Sequence, residues 1–232
     1  MCNQCKVSFY KFWHFLLFYI AILCVAGLGF YYGFDKIAGF GEGVDFAFND
    51  TICDTSMMFI LALIPSWFIG SDFSNRTIHH EITSGYSRWS VLLVRELPVI
   101  LAGIIFHAVY MISTILGVAC KNAFSNHIFE NSNNLLWCVT VMLQLIGLQS
   151  VITLITFICS KASAAIAASV SFVVISCNVL RNFLGGTFFE KTVFCFAKNN
   201  ASETLISASV IAVITLVVSI ALTYLVFRRK EI

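Results

Sequence analysis

Six stretches of roughly twenty mostly apolar residues follow one another along this 232-residue chain, and nothing else in it constrains the fold as much. A bilayer core of ~30 Å is crossed by about 20 helical residues. Helices suit that environment because they close their own backbone hydrogen bonds where no water can. The stretches are about 12–34, 52–70, 97–120, 135–159, 162–180 and 205–227. Charged residues make up 11% of the chain and apolar ones 59%, against about 25% charged in a soluble domain. Most of that apolar surface must therefore face lipid. The expectation is an all-α polytopic integral membrane protein: six transmembrane helices in a single domain covering residues 1–232. Pro65 falls inside the second stretch and predicts a kink there. Pro98 opens the third at a tolerated first-turn position.

Orientation follows from where the cations sit. With both termini in the cytoplasm, that side holds Lys6, Lys11, Arg76, Arg88, Arg95, Lys161, Arg228, Arg229 and Lys230. Only Lys36, Lys121, Arg181, Lys191 and Lys198 remain outside, and the loop after the first stretch is acidic, with Asp35, Glu42, Asp45, Asp50 and Asp54. The first apolar run is too long for a signal-peptide core and no A-x-A site follows it. Met1–Lys11 leads into the aromatic and basic cluster Phe9-Tyr10-Lys11-Phe12-Trp13, as an amphipathic lead-in helix at the membrane interface would. Arg181–Thr204 is long and mixed, and a dip into the outer leaflet there requires a protein cover.

A net charge of +2 is too balanced to point to nucleic acid. Nine cysteines, scattered singly, do not make a disulfide framework. Cys2-Asn3-Gln4-Cys5 has CxxC spacing without a second pair, and buried cysteine is ordinarily a small hydrophobe.

The connection between the second and third stretches is the most informative. Ser71-Asp72-Phe73-Ser74-Asn75-Arg76-Thr77-Ile78-His79-His80-Glu81-Ile82-Thr83-Ser84-Gly85 reads as a short helix. Ser71 or Asp72 suits its N-cap, and Gly85 a left-handed terminator. Ser87 can cap a restart leading through Arg88 and Arg95-Glu96 into the third stretch. A solvated loop obeying the charge rule would have this composition; so would a stiff elbow that takes force from a soluble partner.

The segment Phe68-Ile69-Gly70-Ser71-Asp72-Phe73-Ser74-Asn75-Arg76-Thr77-Ile78, followed by Gly85-Tyr86-Ser87-Arg88-Trp89, resembles the cytoplasmic loop of type-2 ATP-binding cassette (ABC) exporter permeases. Those commonly carry a small residue, Asp or Glu, Phe, two variable residues, Gly, Thr and a hydrophobic residue, then Gly-x-Ser-Arg. Arg76 stands where that family often has Gly, and His79-His80 are unusual for it. The resemblance implies a coupling helix seated on a separate ATPase. The residues it assigns to that contact are Asp72, Phe73, Ser74, Asn75, Arg76, Thr77, Ile78, His79, Glu81, Ile82, Gly85 and Arg88. It further implies two ATPase subunits holding ATP and Mg, a second permease copy or paralogue, a bacterial plasma membrane, and re-entrant helices between spans five and six. The cargo it suggests is amphipathic: a peptide, lipid or drug-like molecule, with antimicrobial-peptide export or immunity as one setting.

No G-x-x-x-x-G-K-[ST], H-E-x-x-H or G-x-S-x-G occurs, so the chain is read as a transport subunit without enzymatic machinery, binding no cofactor or metal itself. Asn49-Asp50-Thr51 and Asn200-Ala201-Ser202 match a glycosylation tripeptide that arises often by chance. Inside the stretches, His107, Gln144, Gln149 and Asn178 are candidates to line a pathway. Interhelical hydrogen bonding is the plainer reading of each, as tight packing on a neighbouring helix is of the small-residue run Ala162–Ser169. No paired carboxylates fall inside a predicted span, and this shortage of membrane carboxylates weighs against proton or sodium coupling. Two other classes stay open: a channel or carrier independent of ATP, and a non-transporting scaffold or sensor.

Overall fold

The computed structural model describes residues 2–40, 44–52, 54, 57–121, 132–176, 191–197 and 202–230. These form α1 (Cys2–Trp13), α2 (Leu16–Tyr31), α3 (Val44–Ile52), α4 (Met57–Ser74), α5 (Thr77–Thr83), α6 (Arg88–Lys121), α7 (Ser132–Cys159), α8 (Ala162–Val174) and α9 (Ser202–Arg229). A wide π-turn, Tyr32–Ile37, extends α2. No strand occurs among the described residues. Among the described residues, four segments are long and apolar enough to cross a membrane: Phe18–Ile37, Arg88–Lys121, Asn134–Cys159 and Ser202–Arg229. Met58–Ser74 and Ala162–Val174 are shorter apolar helices. The all-helical membrane character expected from composition is therefore present.

Several boundaries differ from the expected ones. The first stretch is broken: Phe15 takes an extended conformation (φ −82°, ψ 107°) between α1 and α2, so the lead-in is a helix of its own. Ile52 belongs to α3, and α4 starts only at Met57. The largest correction concerns α6, which begins at Arg88 and places Pro98 well inside the helix rather than at its first turn. Pro65 lies inside α4 as expected. The dip expected between Arg181 and Thr204 lies mostly outside the described residues, as does Asn178.

α7 is the central helix, with 61% of its apolar window buried against 22% for α9. α9 packs chiefly on α7, α4 on α8, and α2 on α6. In lipid, helices approach closely where side chains are small, and the contacts follow that rule. A Cβ on Gly117 would stand 2.5 Å from the Phe30 carbonyl oxygen, so α2 and α6 touch backbone to backbone. On the other side, Gly70 of α4 faces the Ala162 backbone, and Ser66 donates to Ser169 at 2.8 Å. The small-residue run of α8 is thus its packing face. Leu23, Leu116, Val217 and Leu225 point outward, as a lipid-facing surface requires.

One end of the bundle gathers α1, α5, the C-termini of α4, α7 and α9 and the start of α6. Gln4 accepts from Ser90 at 2.8 Å, Lys11 meets Asp72, and Lys230 reaches Ser160. The first helix and the last described residue therefore lie at the same end, called proximal below.

Candidate functional site

α4 continues one turn beyond its apolar part, so Ser71 and Asp72 are not the caps of a separate helix. Ser71 instead donates to the Phe68 carbonyl at 2.9 Å. The chain then turns at Arg76, whose backbone is left-handed (φ 56°, ψ 18°), a conformation costing about 1–2 kcal/mol for a residue with a Cβ. The seven residues of α5 follow. Gly85 at φ 90° closes the unit as expected, the Tyr86 amide donating to the Glu81 carbonyl at 3.2 Å. Ser87 caps the restart, accepting from the Ser90 amide at 3.2 Å.

A buried knot holds this elbow to the bundle. Arg95 of α6 donates from Nε to Asp72 at 3.0 Å and takes both Glu81 oxygens with its terminal nitrogens, at 2.8 and 2.9 Å. Lys11 of α1 completes the knot on the second Asp72 oxygen. Side-chain exposures are 3% for Arg95 and 4% for Asp72, but 28% for Glu81 and 44% for Lys11. The inner pair therefore stands in low dielectric, whereas the lysine contact is weakened by solvent. One guanidinium thus ties α4, α5 and α6, using the fork geometry that suits arginine to bidentate carboxylate pairing. A cavity of about 220 Å³ lies against the knot, lined by Gln4, Ser8, Thr77 and Tyr86 besides the ion pairs.

Two further cations hold helix ends. Arg88 donates to the carbonyls of Phe227, Arg228 and Lys230 at 2.6, 2.7 and 2.9 Å, closing the C-terminus of α9. Lys230 in turn meets the carbonyls of Phe157 and Ile158 at the end of α7. Both place positive charge where a helix presents unpaired carbonyls and the negative end of its dipole. Partial burial holds the Lys230 ammonium below the usual lysine pKa.

The residues assigned to ATPase contact fall into two sets. Asp72, Phe73 and Ile78 are buried, and Glu81 and Arg88 are spent on bonds within the chain. Ser74, Asn75, Arg76 and Gly85 are exposed, while Thr77, His79 and Ile82 are half-buried; His80, Thr83, Ser84 and Tyr86, outside the assigned set, are exposed beside them. Sequence reasoning missed Lys11, Arg95 and the cap donated by Arg88. The acidic partner of Arg95 lies 23 positions away, and no short motif marks such a pair.

No protein-family model matches this chain, and no curated protein is significantly similar to it.

The intramembrane candidates also divide. Gln144 donates to the Thr192 carbonyl at 2.8 Å and accepts from the Ala197 amide at 3.1 Å, holding the 191–197 segment on α7. His107 and Gln149 are fully buried, and among the described residues neither ring nitrogen and neither amide atom has a hydrogen-bond partner. Glu96 is buried in α6 and accepts from Ser150 at 2.7 Å. The expectation left Glu96 outside the membrane, because it began the third span one residue later, whereas α6 begins eight residues before it. No group of three metal-ligating side chains occurs among the described residues.

Proposed function

We propose that this chain is the membrane-spanning permease subunit of an ATP-driven ABC exporter. The observation that carries the reading is the clamped elbow: α5 is bound through Glu81 and Asp72 to the guanidinium of Arg95, with Ser74, Asn75, Arg76 and His80 left outward. A push on that outward face is delivered to α4 and α6 together, because a bidentate pair and a buried ion pair resist being sheared. The left-handed backbone at Arg76 adds support, since it is the conformation glycine takes freely and the permease pattern places Gly there.

In this reading the proximal end faces the cytoplasm of a bacterial cell, and α4 and α8 complete six crossings of the plasma membrane. Two ATPase subunits carry ATP and Mg, and a second copy or paralogue completes the pathway for an amphipathic cargo. An apolar hollow of about 230 Å³ beside Phe12, Phe18, Trp67, Phe68 and Phe106 suits the aliphatic part of such a molecule.

The test is a photo-crosslinker placed at Arg76 or His80 in native membranes. The expected product joins the chain to a protein with a Walker A motif, and Arg76→Glu abolishes co-purification of that ATPase. Crosslinks only to lipid, or cargo transport by the purified chain without nucleotide, would overturn the proposal. Arg76 is a better probe than Arg88, whose replacement also disturbs the end of α9.

A further inference from the structure

Five polar atoms on three side chains stand between α6 and α7 without a partner among the described residues. They are both ring nitrogens of His107, both amide atoms of Gln149 and the hydroxyl of Thr153, and each of these residues is fully buried. An unpaired buried polar group costs about 1–3 kcal/mol, and such groups usually mark water or a functional device. Here they do not lie at random.

On α6, Glu96, Gly103, His107, Tyr110 and Thr114 follow at spacings of 7, 4, 3 and 4 residues, and all five are buried. Those spacings keep them on one helix face. From α7, Gln149, Ser150 and Thr153 supply the opposing polar groups. Ser150 bonds Glu96 at 2.7 Å. Gly103 leaves room for them: a Cβ there would stand 2.8 Å from the Gln149 amide nitrogen. At the distal end, Tyr110 donates to Asp54 at 2.6 Å and Tyr32 to Asp50 at 2.8 Å, and both carboxylates are partly exposed. From Glu96 to Tyr110 the face rises about 21 Å, most of a ~30 Å hydrocarbon core.

We propose that this face is a water-holding proton relay from Glu96 through Gln149 and His107 toward Asp54, working independently of any ATPase. Water suits the gap because each molecule needs two to four polar partners, and Gln149, Thr153 and His107 offer donors and acceptors together. One proton binds the Glu96 carboxylate from the proximal side. Water held by Gln149 passes the equivalent charge to one imidazole nitrogen, and the other nitrogen releases a proton toward Asp54. Only O–H and N–H bonds exchange, and one proton moves. Tyr110, which donates to Asp54, lies three residues beyond His107 on the same face, and Ser150 is the group bonded to Glu96.

The test uses the purified full chain in liposomes loaded with a pH-sensitive dye, with a potassium diffusion potential as the drive. Proton entry should be faster than in protein-free liposomes, as a polar intramembrane relay requires. Glu96→Gln, which keeps the acceptor for Ser150, and His107→Gln should each return the rate to that of protein-free liposomes. Thr215→Ala, which removes a hydroxyl bonded within α9, should leave it unchanged. Wild-type flux equal to that of empty liposomes, or unchanged flux in Glu96→Gln, would overturn the relay. Radiolytic hydroxyl-radical labelling needs no variant: internal water should mark His107 but spare Phe106, its equally buried neighbour. Equal protection of the two would also overturn it. Because no nucleotide or partner is present, these outcomes leave the ATPase reading to its own crosslinking test.

Discussion

Arg95 and Asp72 meet at 3.0 Å with side-chain exposures of 3% and 4%, an ion pair sealed at the proximal ends of α4 and α6. Burying two charges costs several kcal/mol before they attract, so the pair is a poor source of net stability. Its effect is positional. With Glu81 on the same guanidinium, neither α4 nor α6 can move relative to α5 without uncovering a charge.

A double-mutant cycle follows directly. Asp72→Asn should lower stability by about 3 kcal/mol by leaving part of Arg95 uncompensated, and Arg95→Met should do the same by leaving buried Asp72 with only the half-exposed Lys11. The double variant should recover much of the loss, since both charges then leave together. Reversible SDS unfolding of the purified chain measures each corner. Additive losses would show that the two residues do not act as a pair.

Arg76 offers the opposite sign. Its backbone sits at φ 56° in a region that favours glycine, so Arg76→Gly should raise stability by about 1 kcal/mol. That is the relief of left-handed strain less the entropy glycine adds to the unfolded chain. The same unfolding assay reads it, and a loss of stability would mean the strain is offset by contacts of the arginine side chain.

The helices that cross lipid were legible because composition and length dictate them, and the turn at Gly85 because few residues other than glycine accept that backbone. Helix ends were less so. Apolar count began the third stretch at Leu97, but the helix begins at Arg88, because Ser87 caps it and Arg95 and Glu96 find partners inside the bundle. A charged residue with a partner is tolerated where an unpaired one is not, and hydropathy cannot see the partner. His107 and Gln149 were visible as polar residues in apolar runs, yet their lack of partners depends on the register of α6 against α7. Gln144 looked identical in sequence and proved to hold the 191–197 segment.

Register also decides which glycines matter. Gly117→Ala would put a methyl 2.5 Å from the Phe30 carbonyl oxygen and 2.9 Å from the Phe34 amide. Neither backbone atom can yield without moving α2, so a loss of about 1–3 kcal/mol is expected. Gly27→Ala meets nothing within 4 Å and should be neutral or stabilising, given the helix propensity of alanine. Equal effects of the two variants in the unfolding assay would argue against the close α2–α6 crossing.

The cap at α9 gives a local rather than a global prediction. Arg88 meets three carbonyls of the last turn, at Phe227, Arg228 and Lys230, with one terminal nitrogen, and hydrogen bonds to a charged group are worth about 1.5–3 kcal/mol. Arg88 is half-buried, so the net effect of Arg88→Ala should be about 1–2 kcal/mol, consistent with a cation at a helix C-terminus. The loss should appear as fraying of the last turn of α9, and Lys230 should then slip from the end of α7. Hydrogen exchange resolves this: amides near 225–230 should exchange faster in Arg88→Ala, while the middle of α9 around Thr215 stays protected. Arg88→Lys should recover only part of the protection, because an ammonium lacks the flat guanidinium face that lies 5.7 Å from the Phe227 ring centroid. Uniform acceleration along the whole of α9 would instead show that Arg88 holds the helix in the bundle rather than closing its end.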